Sequence, residues 1–130
     1  MTKEKLLEKI GFPVKAFPLY TKIEGNFKEV PDRLCIVNID NSKPLSVISP
    51  RYKILPHRVA VETILNAYDK GKIDYTIQSY YLHNNGAKLF VHLRHPERFE
   101  IERGDEVQME TIIRNSYDET EPYGLSLIHI

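Results

Sequence analysis

Two runs of alternating apolar and polar residues flank Asn84-Asn85-Gly86, and this arrangement constrains the fold more than any other feature of the 130-residue chain. Asn-Gly is the strongest short hairpin signal, because a type I′ turn needs positive φ at both of its central residues. With Asn85-Gly86 as a two-residue loop, antiparallel strands are predicted over residues 73–83 and 87–94.

This turn also predicts which residues share each face of the hairpin, since side chains alternate along a strand. The predicted core face pairs Leu82 with Leu89, Tyr80 with Val91 and Gln78 with Leu93. The predicted outer face pairs Tyr81 with Phe90, Ser79 with His92 and Ile77 with Arg94.

Two helices are predicted from apolar spacing. In residues 2–10, Thr2 is a plausible N-cap and Gly11 ends the helix. After Pro56 the apolar residues recur at i, i+3, i+4 and i+7, which is one face of a helix. These residues are Val61, Ile64, Leu65 and Tyr68. The second helix ends near Lys72, with Gly71 predicted at the C′ position.

The remaining segments are predicted as strands and turns. Strands are expected over residues 33–39, 44–48, 98–102 and 107–114. His95-Pro96 is expected to separate the hairpin strand 87–94 from the strand 98–102. Residues 11–29 read as an extended stretch, either a docking arm or a loop. Together these elements predict an α+β protein, a mostly antiparallel sheet with the Asn-Gly hairpin in a meander, covered by one central helix.

Composition excludes several classes of protein. No apolar run is long enough to span a bilayer, and the charged segment 1–10 is not a signal peptide. The single cysteine, Cys35, excludes an internal disulfide framework and fits a reducing cytoplasm. Net charge is zero, but residues 1–65 hold 11 Lys/Arg against 7 Asp/Glu and residues 66–130 hold 7 against 11. This asymmetry either steers a partner or is ordinary surface charge.

The outer face of the predicted hairpin is the best candidate functional surface. It interleaves aromatic rings with cations: Tyr75, Tyr81, Lys88, Phe90, His92 and Arg94. Such a sheet face binds single-stranded nucleic acid when bases stack on the rings and the cations meet phosphates. The alternative is that this face packs against another part of the protein.

No motif indicates catalysis, a metal or a cofactor. The five histidines lack zinc-binding spacing, and no nucleophile elbow, P-loop or dinucleotide fingerprint is present. The acids could include a magnesium site, although solvated charge is the default interpretation. They are Glu97, Glu100, Glu102, Asp105, Glu106 and Glu110. A metal-dependent nuclease using acids near Glu110 and Asp118 is therefore an alternative to a non-enzymatic function.

Three segments are expected. Residues 1–30 form a helix and an extended arm, residues 31–124 form the α+β domain, and residues 125–130 form a tail. The six tail residues resemble the translation of a transposase adapter of the kind used in sequencing libraries. We therefore expect the native protein to continue past Gly124; the alternative is a native terminal strand.

Three blocks carry a family resemblance. They are Arg51-Tyr52-Lys53 before the second helix, Gly86-Ala87-Lys88-Leu89-Phe90-Val91 after the turn, and Gly104-Asp105-Glu106 leading to Asn115-Ser116-Tyr117-Asp118. In this order the blocks resemble a family carried by phages and plasmids, domain of unknown function 932, over residues 45–124. Tyr117 stands where that family usually has histidine, and Glu119 where it has glycine.

The resemblance implies a prokaryotic mobile-element protein of unknown activity, longer than this chain, and it does not imply catalysis. Combined with the hairpin face, it leads us to expect a cytoplasmic accessory protein of DNA metabolism that binds single-stranded DNA. The alternatives are the nuclease and a module that binds a phage or host protein without nucleic acid.

Overall fold

The computed structural model describes residues 1–118 and 123–129, with their side chains except at 97–102, 105–107 and 127–129. In this part of the chain, two helices and seven strands follow one another. They are α1 (Lys3–Ile10), β1 (Val14–Ile23), β2 (Asn26–Asn38), β3 (Lys43–Ile48), α2 (His57–Lys70), β4 (Thr76–His83), β5 (Lys88–Glu102), β6 (Asp105–Ser116) and β7 (Gly124–His129).

The strands form two antiparallel meanders, one on each side of α2 in the chain. The first sheet has the order β1-β2-β3 and the second has the order β4-β5-β6-β7. The predicted α+β class is confirmed, and the antiparallel strands divide between these two sheets. Among the described residues, no helix is both long and apolar enough to cross a membrane.

The main core lies between the two helices and the second sheet. Its buried members are Leu6, Leu7, Ile10, Val61, Leu65, Ile77, Leu89, Val91, Leu93 and Ile113. Ile64 and Tyr68 pack against the same cluster, so the whole predicted apolar stripe of α2 faces this core. A second cluster, built on Ile36, Ile48 and Tyr117, lies against the first sheet.

Helix α1 begins and ends where its sequence predicts. The hydroxyl of Thr2 accepts a hydrogen bond from the Lys5 amide at 3.2 Å. This amide is one of the first-turn N–H groups that have no acceptor within the helix. Leu7 is only 5% exposed, and Leu6 and Ile10 are fully buried.

Residues 11–29 are extended, as predicted, and most of them are paired strands instead of a loop. Residues 14–23 form β1 and residues 26–29 begin β2, and the closing pair Ile23–Asn26 leaves Glu24-Gly25 as a two-residue turn with φ of 49° and 83°. A type I′ turn needs this conformation, which glycine adopts freely and glutamate does not. The sequence signal was weak because Glu-Gly is not a preferred type I′ pair.

The predicted register of the β4–β5 hairpin is correct near the turn and wrong beyond it. Leu82 pairs with Leu89, Tyr81 with Phe90, Tyr80 with Val91 and Ser79 with His92, as predicted. A bulge at Gln78 then shifts the pairing by one residue, so that Ile77 faces Leu93. A one-residue shift reverses the faces, and Ile77 is buried in the main core instead of lying on the outer face.

The connection between these strands is also wider than predicted. His83 pairs with Lys88, which leaves Asn84 to Ala87 as a four-residue loop. Asn84, Asn85 and Gly86 all have positive φ. Tertiary contacts select this loop: Gly86 lies buried against the Phe12 ring, and the Ala87 carbonyl accepts a hydrogen bond from the Tyr117 amide at 2.6 Å.

His95-Pro96 does not end β5, contrary to the prediction. The pairing with β6 passes from Arg94–Glu110 to Arg98–Gln108 across an irregularity that contains both residues. Proline is tolerated there because a residue in a bulge does not need a backbone N–H to donate to the neighbouring strand. The hairpin turns at Arg103-Gly104, where Gly104 has φ of 85°.

Helix α2 ends one residue later than predicted. The Lys72 amide donates to the Asp69 carbonyl at 3.2 Å and the Ile73 amide donates to the Tyr68 carbonyl at 2.9 Å, which together form a Schellman motif. The C′ residue is therefore Lys72, with φ of 56°, and Gly71 has an ordinary φ of −81°.

Glycine at position 72 should therefore stabilise the protein. Lys72→Gly removes the Cβ that disfavours positive φ, and we expect the free energy of unfolding to rise by about 0.5–1 kcal/mol in urea denaturation. Lys70→Gly, two residues earlier in helical conformation, is the matched control and should lower it by a similar amount. Equal effects of the two substitutions would contradict this end of α2.

Candidate nucleic-acid interface

One face of the second sheet lies on the side opposite the helices and carries most of the predicted binding residues. Lys88, Phe90, His92 and Arg94 alternate with the core residues of β5, so all four point away from the main core. Tyr81 lies directly opposite Phe90 on β4. We call this side of β4, β5 and β6 the outer face.

Four rings form a connected cluster on the outer face. Tyr81 stacks on His83 with centroids 6.3 Å apart and meets the edge of His92 at 6.0 Å. His83 in turn meets the edge of Phe90 at 5.7 Å. Tyr81 is 51% exposed, whereas Phe90 and His92 are half-buried. The cluster therefore offers ring surface to solvent on a rigid strand pair.

Cations lie beside these rings. Lys88 and Arg94 flank the ring-bearing positions of β5, and Arg114 on β6 lies directly opposite Phe90. Arg94 donates through Nε and Nη2 to the same oxygen of Glu110, at 3.3 and 3.1 Å. Glu110 is only 9% exposed. Its carboxylate therefore fixes the Arg94 guanidinium and offsets part of its charge.

Tyr75 does not belong to this face, contrary to the prediction. It precedes β4, on the far side of the Gln78 bulge, and packs against the main core with its ring 6.0 Å from that of Tyr68. The bulge is the physical reason, since it reverses the alternation on which the prediction relied.

The outer face has two members that the sequence did not predict, His83 and Arg114. His83 could have been found by extending the alternation two residues beyond Tyr81. Arg114 could not have been found in this way, because its position depends on how β5 pairs with β6. An irregularity at Pro96 shifts that pairing, so counting residues from the turn at Arg103-Gly104 does not give the register.

Four residues of the resemblance blocks, Tyr52, Asn115, Ser116 and Tyr117, lie elsewhere, in a buried cluster that joins the two sheets. The Tyr52 hydroxyl donates to the Ser116 carbonyl at 2.9 Å. The Asn115 side-chain amide donates to the Leu55 carbonyl at 2.8 Å, and Ser46 donates to the Tyr117 carbonyl. Asn115 and Ser116 lie at the end of β6, beyond the strand predicted over residues 107–114, and they are buried, 3% and 1% exposed.

His57 and Tyr117 form the centre of this cluster. Their rings stack with centroids 4.0 Å apart, both side chains are fully buried, and the His57 amide donates to the Tyr117 hydroxyl at 2.6 Å. His57 Nε2 lies 2.8 Å from the Gly86 carbonyl and Nδ1 lies 3.0 Å from the Asn115 amide. Nε2 therefore carries the proton and Nδ1 accepts.

Burial controls the protonation of both rings. Desolvation lowers the pKa of His57 to about 4, against the smaller opposing effect of its hydrogen bond to Gly86. Desolvation raises the pKa of Tyr117 to about 12. Both groups are neutral near pH 7, and their hydrogen bonds are satisfied within the protein. The cluster therefore ties the two sheets together.

The remaining motif residues are spread out. Arg51 and Lys53 are exposed before α2, and Asn84 donates weakly to Asp118 at 3.5 Å. Gly104 forms the distant β5–β6 turn, while the side chains of Asp105 and Glu106 lie outside the described part of the chain. The resemblance blocks therefore do not form one site.

The structure does not bring the acids of the alternative nuclease together. Glu110 lies in the middle of β6 and Asp118 lies just beyond its end, so at about 3.3 Å per residue they are about 20 Å or more apart. Glu97, Glu100, Glu102, Asp105 and Glu106 fall among the side chains that are not described. Within the described side chains, no three His, Cys, Asp or Glu residues are placed to hold a metal ion.

The fold and its surfaces define a two-sheet α+β protein with an aromatic and basic sheet face. Comparison with known families gives a match over residues 44–128 to a family described as a domain of unknown function (DUF932). The chain belongs to this family, as its sequence blocks predicted. No curated protein matches the chain, and no solved structure does.

Proposed function

We propose that this protein binds single-stranded DNA through the outer face of the second sheet, as a cytoplasmic accessory protein of a phage or plasmid. The observation that carries the proposal is the ring cluster of Tyr81, His83, Phe90 and His92 with cations at its borders. The mobile-element setting rests on the sequence resemblance alone.

The geometry of this cluster suits unpaired bases. A base in a duplex has both faces stacked, whereas a single strand can place its bases on exposed rings such as Tyr81. Each stacked base contributes about 1–3 kcal/mol, and the interaction tolerates any sequence because every base has a π-face. We therefore expect binding with little base preference.

The charges of the outer face suit a phosphate backbone. Its described ionisable side chains include three cations, Lys88, Arg94 and Arg114, and one carboxylate, Glu110. Each phosphate that a cation neutralises steepens the dependence of affinity on salt, with a slope of about −0.7 per contact for single strands. The Arg94 side chain is still 42% exposed beside Glu110, so its guanidinium can contact a phosphate although the whole chain has no net charge.

Fluorescence anisotropy with a labelled oligothymidine tests the proposal across a salt series. We expect affinity that weakens steeply with salt, and a loss of about tenfold or more in each of Tyr81→Ala and Phe90→Ala. Tyr75→Ala is the matched control, because the structure places this tyrosine against the core and away from the outer face.

The measurement is made at a temperature at which circular dichroism shows every variant folded. A loss of affinity in Tyr75→Ala equal to that in Tyr81→Ala would contradict the assignment of the site. Absent or salt-independent binding by the unmodified protein would exclude DNA binding and favour a protein-binding role for the outer face.

A further inference from the structure

The loop between β4 and β5 contains a reactive pair of residues, Asn85 and Gly86, that the proposed function does not use. Asparagine followed by glycine is the pair most prone to deamidation, because glycine has no side chain to hinder attack by its own backbone nitrogen on the asparagine side chain. Asn85 is exposed, so water reaches its side chain. Sequence and exposure alone would make Asn85 the first asparagine of the chain to react.

The backbone conformation of Asn85 prevents this reaction in the folded protein. To close the five-membered ring, the Gly86 nitrogen must approach Cγ of Asn85, and it therefore has to lie on the same side of the Cα–C bond as Cβ. Asn85 has φ of 59° and ψ of 23°. In an L-residue this ψ turns the next nitrogen away from Cβ, so ring closure requires a large rotation about the Cα–C bond of Asn85.

The buried cluster opposes that rotation, because it holds the residue on the far side of the bond. Gly86 is buried, and a Cβ placed on it would lie 2.9 Å from the Phe12 ring, so this ring packs directly against the Gly86 backbone. The Gly86 carbonyl lies 2.8 Å from His57 Nε2. Rotation at Asn85 therefore requires Gly86 to separate from both the Phe12 ring and His57.

We propose that Asn85 is a deamidation site of this protein and that the buried cluster controls it, so that Asn85 reacts only in molecules in which Gly86 has separated from His57. In the open loop, the Gly86 nitrogen forms a bond to Asn85 Cγ. Its proton passes to the side-chain nitrogen of Asn85, which leaves as ammonia. Water then adds to either carbonyl of the resulting succinimide and opens it to aspartate or isoaspartate. This inference does not depend on the proposed function.

The isoaspartate product cannot restore the closed loop. Its backbone runs through the former side chain, which adds a carbon atom between residues 85 and 86. The His83–Lys88 pair fixes both ends of the loop, so the added atom displaces the Gly86 carbonyl from His57. Deamidation therefore converts a transient opening of the loop into a permanent loss of this contact.

Peptide mass spectrometry of the full chain, incubated near neutral pH, measures the reaction at Asn85. We expect it to be at least about tenfold slower in the folded protein than in urea that unfolds the chain, because the rate is multiplied by the fraction of open loops. Phe12→Ala removes the ring against Gly86, so it should speed the reaction in the folded protein about tenfold and leave the rate in urea unchanged. Phe17→Ala is the matched control, because it removes an exposed ring of β1 and should change neither rate.

A second measurement, on the unmodified protein, separates opening of the loop from unfolding of the whole chain. Opening of the loop exposes little surface, so the rate at Asn85 should change little across urea concentrations below the unfolding transition. A rate that rises in step with the unfolded fraction would overturn control by the buried cluster. Equal rates in the folded and unfolded chain, or equal rates in Phe12→Ala and Phe17→Ala, would overturn it as well.

The consequence of the modification has its own control. The isoaspartate form, separated by chromatography, should unfold at a lower urea concentration than Asn85→Asp, which carries the same charge on an unaltered backbone. Equal unfolding midpoints would overturn the loss of the contact between Gly86 and His57.

Discussion

Replacing Tyr117 with alanine is expected to lower the free energy of unfolding by about 3–5 kcal/mol, the range typical of large aromatic residues truncated in a core. The Tyr117 side chain is fully buried, stacks on His57 and meets the edge of Phe12 with centroids 6.3 Å apart. Truncation leaves a cavity where the two sheets meet, and it also leaves the His57 amide without its hydroxyl acceptor. Urea denaturation measures the loss.

Two variants complete this experiment. Tyr117→Phe keeps the ring and removes only the hydroxyl, so we expect a smaller loss of about 1–3 kcal/mol from the unsatisfied amide. Tyr81→Ala truncates a half-exposed tyrosine of the outer face. It should lower the free energy of unfolding less than either substitution of Tyr117 does. A Tyr117→Ala protein as stable as Tyr81→Ala would show that the buried cluster does not join the two sheets.

Acidification is expected to destabilise the protein by about 3 kcal/mol through His57 alone. Its pKa is 6.5 when exposed and about 4 in the fold. Above pH 6.5 the ring is therefore neutral in both states and its titration does not change the free energy of unfolding. As the pH falls from 6.5 to 4, the unfolded chain binds a proton that the folded protein does not, and unfolding becomes more favourable. Below pH 4 both states are protonated and the penalty reaches its limit.

A comparison across pH isolates this effect from other titrating groups. His57→Gln can still donate to the Gly86 carbonyl but does not titrate, so the stability difference between the original protein and this variant should shrink by about 3 kcal/mol between pH 7 and pH 4. A difference that is constant over this range would mean that His57 is not a buried neutral ring.

The parts of the fold that depend on local periodicity were predictable. The stripe from Val61 to Tyr68 predicts α2, and the alternation from Ser79 to His92 predicts four cross-strand pairs and the main members of the outer face. Both signals depend only on which residues share a face of a regular element, and a nearby turn fixes the register.

The errors arose where tertiary contacts override local signals. The bulge at Gln78 moved Tyr75 and Ile77 off the outer face, and contacts with Phe12 and Tyr117 widened the Asn-Gly loop. The buried cluster was not predicted, because His57 and Tyr117 are 60 residues apart and a polar sequence around Asn115 resembles a surface turn. The β1–β2 hairpin was not predicted, because Glu24-Gly25 gives little local indication of a tight turn.

The most direct test of the outer face is photocrosslinking to an oligothymidine that carries 5-iododeoxyuridine, followed by mass spectrometry of the crosslinked peptides. Excited iodouracil reacts with an aromatic ring stacked on it, so the crosslinked residues identify where bases lie. The account predicts crosslinks at Tyr81, His83, Phe90 or His92, and their loss when unlabelled oligothymidine competes. Crosslinks confined to residues outside the outer face, or none at concentrations that saturate binding, would contradict it.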